Sequence, residues 1–196
     1  MTLYCATSNQ GKLREFRLAG ERFGIRVLEL PGLKGIEPCE ETGRTFKENS
    51  VLKATHYGQH APGLLFADDS GLEVDALGGA PGVVSARYAG PGATDAQNNA
   101  LLLGNMRGRE KRQARFVCVI ALANRGEIVR TFRGVVGGEI LGEPHGPEGF
   151  GYDPLFYYPP YGKSFGEILT DEKMAVSHRG KALTAMFRFI SDSPGL

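Results

Sequence analysis

The segment LLFADDSGLEV, from Leu64 to Val74, constrains the fold more than any other stretch of the sequence. Its first half is apolar enough for a buried strand, and it leads directly into two adjacent carboxylates, Asp68 and Asp69. Unpaired buried charges would destabilise the fold, so we expect the strand to end at Asp68 with a cation opposite the pair. If the strand instead continues, the two side chains point to opposite faces, so that one acts directly and the other supports it.

Strands and helices alternate on either side of this segment. Residues 3–6 and 25–30 are predicted strands, and the helix between them places Leu13, Phe16 and Phe23 on one face. Capping boxes predict two more helices. The first box pairs Thr45 with Glu48 in a helix that extends to about His60, and the second pairs Thr94 with Gln97.

The second half of the chain adds a hairpin. Two long strands are predicted to meet at Asn124-Arg125-Gly126, followed by a strand near residues 152–158 and a last helix from Gly180 to Ser191. We therefore predict an α/β fold, with a long mixed β-sheet, flanking helices and two lobes around a central cleft. At 196 residues the length favours a single domain over residues 1–196.

Composition narrows the functional classes. There are 23 basic and 22 acidic residues and no basic block, so a nucleic acid polymer is not an expected partner. The three cysteines form no CxxC pair, which argues against a disulfide framework or a zinc ribbon. The longest apolar run, residues 116–123, is too short to span a membrane, and the N-terminus lacks the apolar core of a signal peptide. We expect a cytoplasmic protein without membrane association.

Three common motifs fail on inspection. A phosphate-binding P-loop ending at residues 162–164 would need glycine where Tyr157 stands, and the dinucleotide motif starting at residue 149 has Pro154 in its third glycine position. His56 and His60 have the spacing of a zinc pair, but no third ligand is evident, which favours surface histidines.

The loop TSNQGK precedes the first predicted helix. It comprises Thr7, Ser8, Asn9, Gln10, Gly11 and Lys12. Free N–H groups and the helix dipole at such a position favour an anion, and phosphate is the natural ligand. An ordinary capped loop is the structural alternative.

Carboxylates and cations from separate segments complete the pattern. Mg²⁺ would resolve the Asp68 and Asp69 pair, since it binds to one or two carboxylates together with substrate phosphates, and Glu40 or Glu41 would supply the second carboxylate. A turn with exposed charges is the alternative. Lys53, Lys173 and Arg179 add positive charge, although each alone is more typical of a solvated helix residue. Phe150 and Tyr152 offer rings on which a base could stack, with core packing as the alternative.

Taken together, the segments TSNQGK, EETG, ADDSGLEVDALGGAPGVVSARYAG, GFGYDPLF and EKMAVSHRGKAL resemble the inosine triphosphate pyrophosphatase family over nearly the whole chain. The resemblance implies hydrolysis of ITP, dITP and XTP to the monophosphate and pyrophosphate, with Mg²⁺ and usually as a homodimer. It also implies a long mixed sheet with the site between two lobes. Ser8 stands where the family usually has glycine.

The resemblance also implies a role for individual residues. Asp69 is the expected general base and a metal contact, Glu41 the second metal carboxylate, and Thr7 to Lys12 the phosphate binders. The nucleotide site is expected to comprise Lys53, Ser70, Phe150, Gly151, Tyr152, Asp153, Lys173, His178 and Arg179, the last two reading the base. Two other functions are compatible with the sequence: a pyrophosphatase of another modified or pyrimidine nucleotide, and a nucleotide sensor that does not catalyse hydrolysis.

Overall fold

The computed structural model describes residues 1–193, which form two compact units. The first unit comprises Met1–Asp69, Cys118–Gly134 and residues 178–193. The second unit comprises Ser70–Val117 and Val135–Ser177. Between Met1 and Ser193, no helix has the length and apolar composition needed to cross a membrane.

The strands form one mixed sheet. They are β1 (Thr2–Cys5), β2 (Arg26–Glu29), β3 (Leu64–Val74), β4 (Gln113–Asn124), β5 (Glu127–Ile140), β6 (Phe156–Tyr158) and β7 (Lys163–Ser164). The order across the seven-stranded sheet is β2-β1-β3-β4-β5-β6-β7. The pairs of β1 with β2 and β3 are parallel, whereas β6 pairs antiparallel with both β5 and β7. The predicted α/β class and mixed sheet are confirmed.

The helices are α1 (Gln10–Glu21), α2 (Phe46–Gly58), α3 (Asp95–Asn105), α4 (Thr170–Val176) and α5 (His178–Ser191). Both predicted capping boxes are present, at Thr45 with Glu48 and at Thr94 with Gln97. Each box satisfies two backbone donors that the first helical turn leaves free. The short helix α4 was not predicted.

The core of the first unit lies under α1 and α5. Leu13 and Phe16 are buried on α1, and the ring of Phe16 meets that of Phe66 edge-on, with centroids 5.0 Å apart. Phe23 lies beyond the end of α1 and packs against Phe187 of α5, 5.6 Å between centroids. The predicted apolar faces of both helices are therefore the buried ones, but the placement of Phe23 on the first helix is wrong, because α1 ends at Glu21 and Phe23 contributes from the following turn.

The second unit has its own aromatic core. Phe116, Phe156 and Phe165 pack together, with centroid separations of 4.5 Å for the first two and 4.9 Å for the last two. Aliphatic residues from β3, α3 and β5 surround them, among them Leu72 and Leu102. Burial of these side chains is the main stabilising contribution within this unit.

Two local features position the strands that carry the site. The turn between β4 and β5 has positive φ at Arg125 (51°) and Gly126 (87°), the backbone of a tight hairpin turn, as predicted. The expected end of a strand at Asp68 is wrong, because β3 continues through Asp68 and Asp69 to Val74. The strand can continue because both carboxylates find cations within the fold.

Candidate active site

Asp68 is held by cations of the protein itself. Its side chain is buried, and its Oδ2 lies 2.9 Å from Nζ of Lys12 on α1 and 3.8 Å from Nε of Arg179 at the start of α5. Burial alone would raise the pKa of Asp68, but the charges of Lys12, Arg179 and Lys53 outweigh it and lower the pKa to about 2. Asp68 is therefore ionised at neutral pH and supports the cations around it.

Asp69, the next residue of β3, has a different set of partners. Its Oδ1 lies 3.1 Å from Nζ of Lys53, and its Oδ2 accepts a hydrogen bond from Nδ2 of Asn49 at 3.2 Å. Both partners belong to α2, whereas Lys12, the partner of Asp68, belongs to α1. Because side chains alternate along β3, Asp68 contacts α1 and Asp69 contacts α2.

Lys53 also reaches a second carboxylate. Its Nζ lies 3.4 Å from Oε1 of Glu41, in the loop before α2, and 3.1 Å from Asp69. Burial would lower the pKa of Lys53, but Asp69, Asp68 and Glu41 outweigh it and raise the pKa. Glu41 rather than the exposed Glu40 is therefore the loop carboxylate of this cluster.

The carboxyl group of Asp69 is suited to accept a proton. Burial raises its pKa above the ordinary value, and the charge of Lys53 compensates only in part, while Glu41 adds to the rise. A carboxylate with a raised pKa is a stronger base than one in water. These are the properties of a general base.

The donor set around Lys53 fits Mg²⁺. Within residues 1–193, no three His, Cys, Asp or Glu side chains form a ready metal site. Glu41 and Asp69 nevertheless converge on a single ammonium group. Two carboxylates directed at one cation, with phosphate oxygens to complete the shell, are the donors by which Mg²⁺ is usually bound. These two residues would hold the ion.

Arg179 is tied to a partner that sequence reasoning missed. Its Nη1 lies 2.5 Å from Oε2 of Glu15 on α1, and both side chains are buried. The two residues are 164 positions apart, so no local pattern could have paired them. Since Arg179 also lies near Asp68, one guanidinium links α1, β3 and α5. The alternative of a solvated helix residue is wrong for Arg179.

The TSNQGK loop forms a capped helix start. Asn9 is the N-cap of α1 and accepts a hydrogen bond from the backbone N–H of Lys12 at 3.0 Å, while Thr7 Oγ1 accepts from the N–H of Asn9 at 3.2 Å. Ser8 and Gln10 are exposed and Gly11 is half-buried. The loop is thus both ordinarily capped and open at its surface, and its phosphate-binding role stays a prediction.

In the second unit, Lys173 of α4 is a buried cation. Its Nζ lies 2.6 Å from Oδ2 of Asp153 and 4.9 Å from the centre of the Phe150 ring. The same oxygen of Asp153 accepts a hydrogen bond from the backbone N–H of Phe150 at 2.9 Å. The alternative of a solvated lysine is therefore wrong, since a salt bridge and a cation–π contact fix this ammonium group beside the loop.

The remaining predicted residues have distinct positions. The Tyr152 ring is buried in the core of the second unit and its hydroxyl donates to the backbone oxygen of Ser85 at 2.8 Å, as the core-packing alternative expects, and its role in the nucleotide site stays a prediction. Phe150 is only half-buried. Ser70 directly follows Asp69 on β3, and the buried His178 opens α5.

Asn49 was missed although the sequence carries a signal for it. It is fully buried, and besides donating to Asp69 it accepts from the backbone N–H of Gly43 at 2.8 Å. Asn49 precedes Lys53 by four residues, so both lie on one face of α2. A polar residue on the helix face that also carries a candidate site lysine was the available signal.

Fold and site together define an α/β protein with a mixed sheet in which an interior strand, β3, carries two charge-paired aspartates. The chain belongs to the Ham1 family, whose model matches residues 3–189. This confirms the family resemblance that the sequence motifs indicated.

Related proteins and solved structures agree with this assignment. The chain is 50% identical over 195 residues to a dITP/XTP pyrophosphatase of Acidobacterium capsulatum, covering 95% of this chain and 96% of the relative. It is 47% identical to a dITP/XTP pyrophosphatase of Yersinia pseudotuberculosis, covering 96% and 97%. The structure of the Staphylococcus aureus Ham1 protein superposes with a TM-score of 0.87 at 37% identity, covering 98% of this chain and all of that one.

Proposed function

We propose that the protein hydrolyses deaminated purine nucleoside triphosphates, namely dITP, XTP and ITP, to the monophosphate and pyrophosphate. The observation that carries this proposal is the cluster of Asp69, Lys53 and Glu41, in which a basic carboxylate adjoins a cation and a second carboxylate. The names of the curated relatives, dITP/XTP pyrophosphatase, support the choice of substrate.

In the proposed reaction, Asp69 takes a proton from a water molecule as that water attacks the α-phosphorus. The new bond joins the water oxygen to the α-phosphorus, and the bond to the bridging oxygen breaks, so that pyrophosphate leaves. When Mg²⁺ is bound, it would withdraw charge from the phosphate oxygens and acidify the attacking water. Asn49 holds Asp69 by a hydrogen bond, which fixes the oxygen that is to accept the proton.

Lys12 and Lys53 are the proposed cations for the triphosphate. Each is bound to a carboxylate of β3, with Nζ to oxygen distances of 2.9 Å for Lys12 and 3.1 Å for Lys53. At ~4 Å and an effective dielectric constant near 20, each added unit pair is worth about 4 kcal/mol, so a polyphosphate can compete for these ammonium groups. Thr7 to Gly11 are the proposed backbone and side-chain donors to the same phosphates.

Other residues are proposed to bind the purine base of the nucleotide. The half-buried Phe150 ring, beside the ammonium of Lys173, is the proposed stacking surface in the second unit. His178 and Arg179 are the proposed donors to the 6-keto oxygen of hypoxanthine or xanthine. Adenine carries an amino group at that position, which would leave buried donors unpaired and so disfavour ATP.

The decisive experiment compares products and substrates. We expect pyrophosphate as the first product from dITP, XTP and ITP in the presence of Mg²⁺, with much slower release from dTTP and ATP. Orthophosphate as the first product would contradict the proposal. A preference for dTTP would indicate a pyrimidine enzyme, and tight binding without turnover would indicate a sensor.

Replacing Asp69 with asparagine isolates the chemical step. Asp69→Asn keeps the shape and the hydrogen bond to Asn49 but removes the base, so kcat should fall by roughly 10² to 10⁴ while nucleotide affinity stays within a few-fold. Single-turnover kinetics and equilibrium binding of dITP measure the two quantities separately. A near-normal kcat would rule out Asp69 as the base.

We further propose that the enzyme is a cytoplasmic homodimer, which the family resemblance and the cysteine pattern support. Light scattering at micromolar concentration tests the assembly, and a mass of about 42 kDa, twice the 21.2 kDa of the chain, is the expected result.

A further inference from the structure

Two side chains at the start of α3 hold Gly151 of the GFGYD loop, residues 149–153. They bind both the backbone N–H and the backbone oxygen of this glycine. Asp95 Oδ2 accepts a hydrogen bond from the backbone N–H of Gly151 at 2.7 Å, and Asn99 Nδ2 donates to the backbone oxygen of Gly151 at 3.0 Å. Asp95 and Asn99 are four residues apart, so their side chains leave the same face of α3. The backbone of Gly151 is thus held by hydrogen bonds to Asp95 and Asn99.

The neighbouring residues of this loop are fixed by other contacts. The N–H of Phe150 is bound to Asp153, and the hydroxyl of Tyr152 to Ser85. Gly149 and Gly151 adopt positive φ of 76° and 62°, the left-handed conformation in which glycine is favoured. Phe150 lies between these two glycines, so the orientation of its ring depends on contacts that lock the backbone on either side.

Asp95 is not needed to cap its own helix. The capping box of α3 is made by Thr94 and Gln97, with the N–H of Thr94 bound to Gln97 at 2.8 Å and the N–H of Gln97 bound to Thr94 at 3.3 Å. The carboxylate of Asp95 points instead to a loop 56 positions away. A contribution to the helix dipole is the remaining alternative, and that contribution would be insensitive to Gly151.

We propose that Asp95 and Asn99 are positioning residues for the base of the nucleotide. By holding Gly151, they keep the Phe150 ring and the nearby Lys173 ammonium in the arrangement that receives the purine. This inference rests on the proposed function, in which Phe150 stacks on the base. Neither residue needs to touch the substrate, because each acts through the backbone of the loop.

The proposal predicts different effects on the binding of the purine base and on the binding of the phosphates. Loss of either hydrogen bond to Gly151 should weaken binding of the nucleotide, whereas a polyphosphate without a purine base should bind as before. Asp95→Ala should therefore raise KM for dITP about tenfold, the effect of losing one charge-assisted hydrogen bond, with kcat changed less. The inhibition constant of inorganic tripolyphosphate should remain unchanged.

Three companion variants distinguish positioning from simple stabilisation of α3. Asp95→Asn retains an acceptor oxygen for the N–H of Gly151 and should restore most of the affinity. Asn99→Ala removes the other hydrogen bond and should resemble Asp95→Ala. Gln97→Ala weakens the cap of the same helix without touching Gly151, so it should lower the melting temperature but leave KM for dITP unchanged.

Amide hydrogen exchange provides a readout that does not depend on activity. In the ligand-free protein, exchange at Gly151 should accelerate about tenfold in Asp95→Ala and remain slow in Gln97→Ala. Equal KM values and equal exchange in wild type and Asp95→Ala would overturn the inference, as would equal losses in Asp95→Asn and Asp95→Ala. If the wild type releases no pyrophosphate from dITP, the proposed function fails, and hydrogen exchange alone still decides whether Asp95 holds the loop.

Discussion

Replacing Asp68 with asparagine tests whether the buried charge on β3 stabilises the fold. The charges of Lys12, Arg179 and Lys53 lower the pKa of Asp68 to about 2 in the folded protein, against an ordinary value of 3.8. Because the folded pKa is the lower one, ionised Asp68 stabilises the fold above the unfolded pKa, and this stability is lost as pH falls toward 2. The asparagine variant cannot ionise and should lack this contribution at every pH.

The magnitude follows from the two pKa values. The difference between 3.8 and about 2 corresponds to about 2–3 kcal/mol at neutral pH, since one pKa unit is worth roughly 1.4 kcal/mol. Asp68 is only 4% exposed, so little of this is screened by solvent. At pH 3, between the two values, about half should remain. Asp68→Asn should therefore be less stable by about 2–3 kcal/mol at pH 7, with the difference shrinking at low pH.

Urea unfolding followed by circular dichroism, at pH 7, 5, 4 and 3, measures the difference directly. Asp75→Asn is the matched control, because Asp75 makes an exposed ion pair with Arg115 at 3.2 Å and should cost under about 1 kcal/mol. If Asp68→Asn matched the wild type at pH 7, or if its deficit stayed constant with pH, the assignment of Lys12 and Arg179 as stabilising counterions of Asp68 would be refuted.

Three other changes have defined outcomes. Lys53→Met leaves two carboxylates without their shared ammonium, so kcat/KM for dITP should fall roughly 10²-fold by steady-state assay, and wild-type activity would exclude a role beside Asp69. Gly134→Ala forces a Cβ against the backbone of His178, at an expected cost of about 1–3 kcal/mol in thermal unfolding, whereas Gly137→Ala meets open space and should be near neutral. Chelation with EDTA should abolish pyrophosphate release and added Mg²⁺ should restore it, so activity that persists in EDTA would remove the metal from the proposal.

Features that depend on a few neighbouring residues could be predicted from the sequence. The capping box at Thr45 and Glu48 needs two residues three apart, and the hairpin at Arg125 and Gly126 needs two residues that tolerate positive φ. The buried faces of α1 and α5 follow from helical periodicity alone. Each of these signals lies within a short stretch of sequence, and each is confirmed except for Phe23, which lies beyond the end of α1.

Features that depend on partners far apart in the sequence could not be predicted from it. The end of β3 was placed at Asp68 because adjacent charges ordinarily stop a buried strand, and the cations that allow it to continue come from other helices. The pairing of Glu15 with Arg179 spans most of the chain. The grip of Asp95 on Gly151 joins two segments whose relation appears only after the second unit has folded. Sequence reasoning named the charged residues but not which of them meet.

Because β3 continues through both aspartates, the site also depends on the exact number of residues that precede Asp68 in this strand. Adding or deleting one residue ahead of Asp68 would turn each carboxylate to the other side of the strand, so that the acid now beside Lys12 would face Lys53 and the reverse. Every chemical group would still be present, yet only one of the two acids would reach a position beside a site cation, and the other would lie two residues, about 7 Å, along the strand from the ammonium group on its new side. Members of this lineage should accordingly vary in the composition of this strand far more readily than in its length.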